Sequence, residues 1–287
     1  MIQVRCTVRG CGATLPAVPA AARPSGVRAA VLRGLCGHCF DVSRSGYVNL
    51  LQPQDRRSRK PGDSADAVAA RRRLLDAGAG AALLEALAGA IGDLALQPRA
   101  RTIDLGSGEG SLLAALAARF GLEAAGVELS ARAADLAARR HPGVLWLVAN
   151  ADRGLPFADA TIDLVLSITA RRSPAECARV LVPGGHLVVA VPAPDDLAEL
   201  RLAALGAVVR EDRVTQLVEE HASGFELIGR REARLRFTCS ADQLADLLVS
   251  TYRGGRAGRR ERATGLGGLA VTLSHEVAVF RRRAGAA

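Results

Sequence analysis

The stretch RTIDLGSGEG at residues 101–110 constrains this chain more than any other. It reads as the end of a buried strand that enters a glycine-rich turn, and SLLAALAARF behind it reads as a helix. The alternation then repeats. EAAGVELS is a second strand, ARAADLAARR a second helix, VLWLVANA a third strand and TIDLVLSIT a fourth. SPAECARVL is helical, and a PGG turn leads into HLVVAVP, the fifth strand. Short apolar strands separated by helices of about ten residues pack as a parallel sheet with both faces covered. Beyond Pro192 the pattern predicts helices at DDLAELRLAALG and DRVTQLVEEHASG, then an extended FELIGRREARLRFT. SADQLADLLVST is a helix with Ser240 at its cap, and GLAVTLSHEVAVFRRR alternates as a last strand. The expectation is an α/β fold.

The turn itself selects the ligand. Gly106, Ser107, Gly108 and Gly110 give the spacing G-x-G-x-G, whereas the dinucleotide fingerprint is G-x-G-x-x-G. Asp104 stands two residues before the first glycine. A carboxylate there repels a pyrophosphate and attracts a cationic amine, which favours S-adenosylmethionine over a nucleotide phosphate. The next strand ends in Glu128, followed by Leu129. A carboxylate at that strand end can accept both hydroxyls of a ribose. The third strand ends near Asn150 and Asp152, where either side chain can face an adenine. These strand ends line one edge of the sheet, where ligands of such sheets bind.

The N-terminal quarter differs from the rest. Cys6, Cys11, Cys36 and Cys39 cluster there, around a Pro/Ala-rich loop, LPAVPAAARPSG. The start MIQVRC shows no secretory pattern, and no apolar run reaches membrane-spanning length. A cytoplasmic setting is therefore expected, and it favours a structural Zn²⁺ over disulfides. His38 is the alternative fourth ligand in place of Cys39. A closed four-ligand site has no position for a catalytic water, so the metal's role is structural. Cys177 and Cys239 are expected to be ordinary buried residues. Residues 1–75 carry 13 basic and 4 acidic side chains, while residues 76–287 carry 25 of each. A basic lobe beside a neutral one points to an anionic macromolecule as partner. The bland alternative is a solubilising arginine-rich surface.

Taken with CFDVSRSGYVNLL and RRSRKPGDSADAVAARRRLLDAG, these features resemble the bacterial 23S ribosomal RNA guanine-N1 methyltransferases. The resemblance runs from the cysteines through PAPDDLAEL, residues 6 to 200, and more loosely to the end. It implies a class I S-adenosylmethionine-dependent methyltransferase with a Rossmann-like seven-stranded sheet, its last strand antiparallel, and a small N-terminal zinc ribbon. It also implies methyl transfer to N1 of a guanine in the hairpin-35 loop near the exit tunnel, as housekeeping or as macrolide resistance, and a homodimer. The domains expected are a ribbon at 1–42, a basic loop and linking helices at 43–90, and the catalytic domain at 91–287. Three features depart from the family pattern. The first cysteine pair is wider than usual. The family's aromatic after the fourth strand is replaced by ITARRSP, with Thr169 at that place. The C-terminal region has STYRGGR, with Tyr252, where a tryptophan loop is usual.

The remaining candidates follow. Asp195 and Asp196 lie beyond the fifth strand and are candidates for removing the N1 proton, with Thr169 beside the reacting base. Arg56, Arg57, Arg59, Lys60, Arg71 and Arg72, with Arg73, are candidates for RNA phosphates. Three successive arginines span much of a helical turn, so they cannot all face the RNA. The rival reading is a methyltransferase of a small molecule or peptide on the same scaffold, motivated by Thr169. A second rival, a nucleic-acid-binding module without activity, leaves the cofactor turn unexplained.

Overall fold

The computed structural model describes residues 1–17, 30–55, 62–205, 212–251 and 268–284. A short hairpin comes first, with strands β1 (Ala30–Arg33), β2 (Cys39–Val42) and β3 (Val48–Asn49). Helices α1 (Ala65–Asp76) and α2 (Ala81–Gly92) follow. Ser64 caps α1 through its hydroxyl, which accepts from the Ala67 N–H at 3.2 Å. Gly78 and Gly80 lie in the break between the two helices, as the glycine spacing implies.

The strand–helix alternation begins at β4 (Arg101–Leu105). It continues through α3 (Ser111–Phe120), β5 (Glu123–Glu128), α4 (Ala131–Arg140), β6 (Leu145–Val148) and β7 (Ile162–Ile168). Then come α5 (Pro174–Val180), β8 (Leu181–Pro192), α6 (Ala198–Leu205), α7 (Arg213–His221), β9 (Phe225–Thr238), α8 (Ala241–Thr251) and β10 (Ala270–Arg282). Ser240 caps α8 in a reciprocal pair: its hydroxyl takes the Gln243 N–H, and Gln243 Oε1 takes the Ser240 N–H.

The seven strands from β4 to β10 run in the order β6-β5-β4-β7-β8-β10-β9, and β10 is antiparallel to both neighbours. This is the expected Rossmann-like sheet, but it does not stop at β6. β3 pairs in parallel with β6, Val48 opposite Leu147, so the N-terminal hairpin extends the sheet to ten strands. The reason is apolar. Ile2, Val4, Cys6, Leu15, Phe40, Val42 and Val48 are buried in one core with Ile103, Leu105 and Val165. A module too small to have its own core covers its apolar face with its neighbour. The N-terminal segment is further tied down where Arg5 N–H donates to the Pro156 carbonyl at 2.9 Å. On the other face, α2, α3 and α4 pack over Trp146, Leu164 and Leu166. No single helix among the described residues is long and apolar enough to cross a membrane.

Candidate active site

Parallel β4, β5, β6, β7 and β8 place their carboxyl ends along one edge, and the predicted site residues follow from those ends. Asp104 is the penultimate residue of β4 and is fully buried. Burial, with Glu128 nearby, holds its carboxyl well above the usual carboxylate range. Its Oδ1 and the hydroxyl of Ser107 are buried without a hydrogen-bond partner among the described residues. Orphaned polar atoms of this kind cost about 1–3 kcal/mol each, so an unexplained pair at one turn marks where a polar ligand would be held.

The turn is as tight as its glycines require. Gly110 has φ +85°, and a Cβ there would lie 2.3 Å from Cη2 of Trp146. Gly106, at φ +69°, faces Ala170 just past β7, where a Cβ would come within 2.6 Å of the alanine's own. Side chains would therefore push the turn off the sheet. Glu128, at the end of β5, accepts from Gly108 N–H at 2.9 Å and from Ser130 N–H at 2.7 Å. Burial raises its pKa, and these backbone donors oppose the rise. Each oxygen keeps further acceptor capacity for a ribose hydroxyl. Leu129 turns its side chain into a small core with Leu51, Ala134 and Val148.

Asn150 is buried just after β6, and its carbonyl side-chain oxygen accepts from Asp152 N–H at 3.1 Å. Asp152 pairs with Arg171 at 3.5 Å, which joins the loop after β6 to the loop after β7. Thr169 is exposed at the start of that second loop, directly after β7, with φ +52°. A β-branched residue in the left-handed region is strained, and such strain gathers at functional sites.

Asp195 and Asp196 sit on the loop after β8, and β10 separates their roles. Asp195 accepts from the Ser274 hydroxyl at 2.6 Å and pairs with Arg234, contacts that hold its carboxyl below the usual range. Asp196 is buried, and burial pushes it up to about 6, against the Ser274 N–H that donates to its Oδ1 at 3.0 Å.

The comparisons with known proteins agree on what such an edge belongs to. The 23S rRNA (guanine(748)-N(1))-methyltransferase of Streptomyces fradiae is 39% identical over 216 residues, covering 74% of this chain and 76% of that protein. The chain belongs to the 23S rRNA guanine-N1 methyltransferase family. A Micromonospora griseorubida protein provisionally named a 23S rRNA (guanine-N(1)-)-methyltransferase is 35% identical over 237 residues, 76% of this chain and 77% of its own. Residues 103–189 match a family model described as a methyltransferase domain. Among solved structures, a chain of the complex between the Haloferax volcanii Trm112 methyltransferase activator and a methyltransferase aligns with TM-score 0.52. It is 20% identical and covers 77% of this chain and 99% of its own length, a likeness of fold alone.

In this member of the guanine-N1 methyltransferase family the cluster that could hold a metal differs from the four-cysteine set. Cys6, Cys11, Cys36 and His38 bring one donor atom each within 4.8 Å of one another, and Cys6 Sγ lies 3.4 Å from His38 Nδ1. Cys39 is exposed, and its thiol donates to the Gly37 carbonyl at 3.7 Å. The alternation of β2 explains the exchange: Phe40 and Val42 point into the core, so Cys39 and Asp41 point out. Three thiolates and an imidazole suit the soft, tetrahedral preferences of zinc.

The basic candidates also divide. Arg72 is 16% exposed and turned inward, opposite to the RNA-facing role expected of it. Its fork meets Glu109 Oε2 at 2.9 Å, Asp76 and the Ser111 hydroxyl. Glu109, 3% exposed in the glycine turn, needs this partner because a buried carboxylate must be paired. Sequence reasoning passed over Glu109, although an acid inside a glycine turn and an arginine triplet upstream were the available signal. Arg73 makes two bonds to Asp246 of α8, at 2.8 and 2.6 Å. Arg71 pairs with Asp63 at 2.9 Å but stays partly exposed. Arg56, Arg57, Arg59, Lys60 and Tyr252 lie outside the described residues. Arg9, Arg33 and Arg44 are exposed on the N-terminal module without an ion-pair partner among the described residues.

Proposed function

We propose that this protein methylates N1 of a guanine in 23S rRNA, in the hairpin-35 loop near the exit tunnel, using S-adenosylmethionine. The observation that carries the reading is the family membership, through a relative of that named activity aligned over three quarters of both chains. The cofactor fits the orphaned Asp104 Oδ1 and Ser107 hydroxyl, which ask for hydrogen-bond donors and polar atoms at the glycine turn. Asp104 would take the methionine amine, Glu128 the ribose hydroxyls, and Asn150 with Asp152 the adenine. The bound cofactor supplies an electrophilic methyl group on a sulfonium.

Guanine N1 carries a proton at neutral pH and attacks poorly until it is lost. The protein's own contribution is to align N1 and receive that proton. Asp195 is committed to Ser274 and Arg234, whereas burial pushes Asp196 up to about 6 and its Oδ2 faces Arg201 at 3.8 Å, beyond hydrogen-bond distance. Asp196 is therefore the better acceptor of the two. Thr169, held at the strand-end tip, would face the base in place of an aromatic stacking partner. The cysteine–histidine cluster would hold a structural Zn²⁺ that keeps the N-terminal module in shape for RNA, in a cytoplasmic enzyme. Arg56, Arg57, Arg59 and Lys60 would then meet phosphates.

The test uses the purified protein, labelled S-adenosylmethionine and 23S rRNA, with the product nucleotide mapped by mass spectrometry. A single N1-methylguanine in the hairpin-35 loop is expected. Cofactor binding with no label in the RNA would overturn the reading in favour of a small-molecule or peptide acceptor at the altered ITARRSP pocket.

A further inference from the structure

We propose that Arg71 binds the carboxylate of the cofactor's methionine moiety, completing with Asp104 a site for an amino-acid zwitterion. The inference rests on the S-adenosylmethionine reading above. A zwitterion needs an acceptor for its amine and a cation for its carboxylate, and the glycine turn itself offers only the first.

The cation reaches the turn from α1. A Cβ placed on Gly108 would lie 3.6 Å from Nη1 of Arg71, in ordinary van der Waals contact, so the guanidinium sits directly against the turn. Arg71 bridges two elements, donating from Nη1 to Asp63 Oδ2 at 2.9 Å and from Nη2 to the Ser250 carbonyl at 3.1 Å. It remains 37% exposed. A guanidinium has five N–H donors in a planar fork, so these two uses leave donors for a carboxylate. The two neighbouring arginines are spoken for: Arg72 by Glu109 and Asp76, Arg73 by Asp246.

The stretch from Gly62 to Arg71 also spans the rest of the cofactor edge. The Ser130 hydroxyl donates to the Asp63 carbonyl at 3.1 Å, and Gly62 packs so closely on Ser130 that a Cβ would meet its backbone N at 2.6 Å. Ser130 in turn donates its N–H to Glu128. One segment thus runs from the ribose carboxylate to the glycine turn, and Asp63 orients Arg71 over it. The geometry places a cation above the turn and the buried, unpartnered Asp104 oxygen within it.

The test compares two ligands that differ only at the amino-acid end. S-adenosylhomocysteine carries the zwitterion; 5′-methylthioadenosine has the same nucleoside and thioether but neither charge. Calorimetric titration of the full chain should show both binding. Arg71→Gln should weaken S-adenosylhomocysteine by about 10- to 100-fold while leaving methylthioadenosine within about twofold. Arg71→Lys should recover part of the loss, since it restores charge without the fork. Equal weakening of both ligands would overturn the proposal, because Arg71 would then only prop the segment over the site. An unchanged S-adenosylhomocysteine affinity would overturn it as well. A wild-type chain that binds neither ligand would remove the cofactor reading itself, and this inference with it.

Discussion

At the residue scale, Asp196 shows how one neighbour decides what a side chain can do. Asp195 and Asp196 are adjacent and chemically identical, and sequence could not rank them. Ser274 and Arg234, some eighty and forty positions away, hold the first charged, while burial keeps the second half-neutral near pH 6. That difference carries a stability prediction. A carboxyl raised in the folded state binds its proton more tightly there than in the unfolded chain. Its contribution is therefore complete below the unfolded value of about 3.9 and is lost as pH rises through about 6. Asp196→Asn removes the titration and keeps an acceptor for Ser274 N–H. Relative to wild type, the variant should gain on the order of 2–3 kcal/mol between pH 4 and pH 7.5, read by urea unfolding at both pH values. A wild-type minus variant difference that does not change with pH would show that burial is not setting this carboxyl. That Asp104, Glu128 and Asn150 stand at the ends of neighbouring strands was legible from the apolar runs they close, whereas the grouping of His38, not Cys39, with the other cysteines needed the register of β2.

At the scale of elements, the arginine triplet of α1, expected to face RNA, instead ties the helix to the rest of the fold. Helix boundaries were readable where glycine or a capping serine marks them: α3 and α4 begin and end at the predicted residues, and Ser240 caps as expected. Which face of α1 turns inward was not readable, because three successive arginines carry no amphipathic signal. The structure spends Arg72 on Glu109, so α1 clamps the glycine turn from above. Removing one partner of a buried pair leaves an uncompensated charge. Arg72→Met should cost about 3 kcal/mol, and Glu109→Gln together with Arg72→Met should cost clearly less than the sum of the two single changes. Asp76→Asn, on the exposed side of the same fork, should cost under about 1 kcal/mol. A double-mutant cycle by chemical denaturation measures all of these. Additive costs would mean that the turn holds its shape without α1.

At the scale of the whole molecule, the N-terminal module and the catalytic unit share one sheet and one core, although composition and charge divide them cleanly. The strand alternation predicted the seven catalytic strands because each is paired with a helix nearby in sequence. The pairing of β3 with β6 escaped it because two short strands, Val48–Asn49 and Leu145–Val148, meet across almost a hundred residues. The shared core has a consequence for the metal. If Zn²⁺ occupies the cluster, the site lies beside Val4, Leu15 and Phe40, which pack on the catalytic sheet. Loss of the metal should therefore lower the melting temperature of the entire chain in one cooperative transition, not melt a separate ribbon. His38→Ala should abolish stoichiometric zinc by elemental analysis, and Cys39→Ser should retain about one equivalent, since a tetrahedral site uses four ligands. Calorimetry of the metal-free protein then separates the two architectures. A single lowered transition means that the module is part of the catalytic core. A low transition that appears beside an unchanged high one means that the sheet ends energetically at β6, and that β3 merely lies against it.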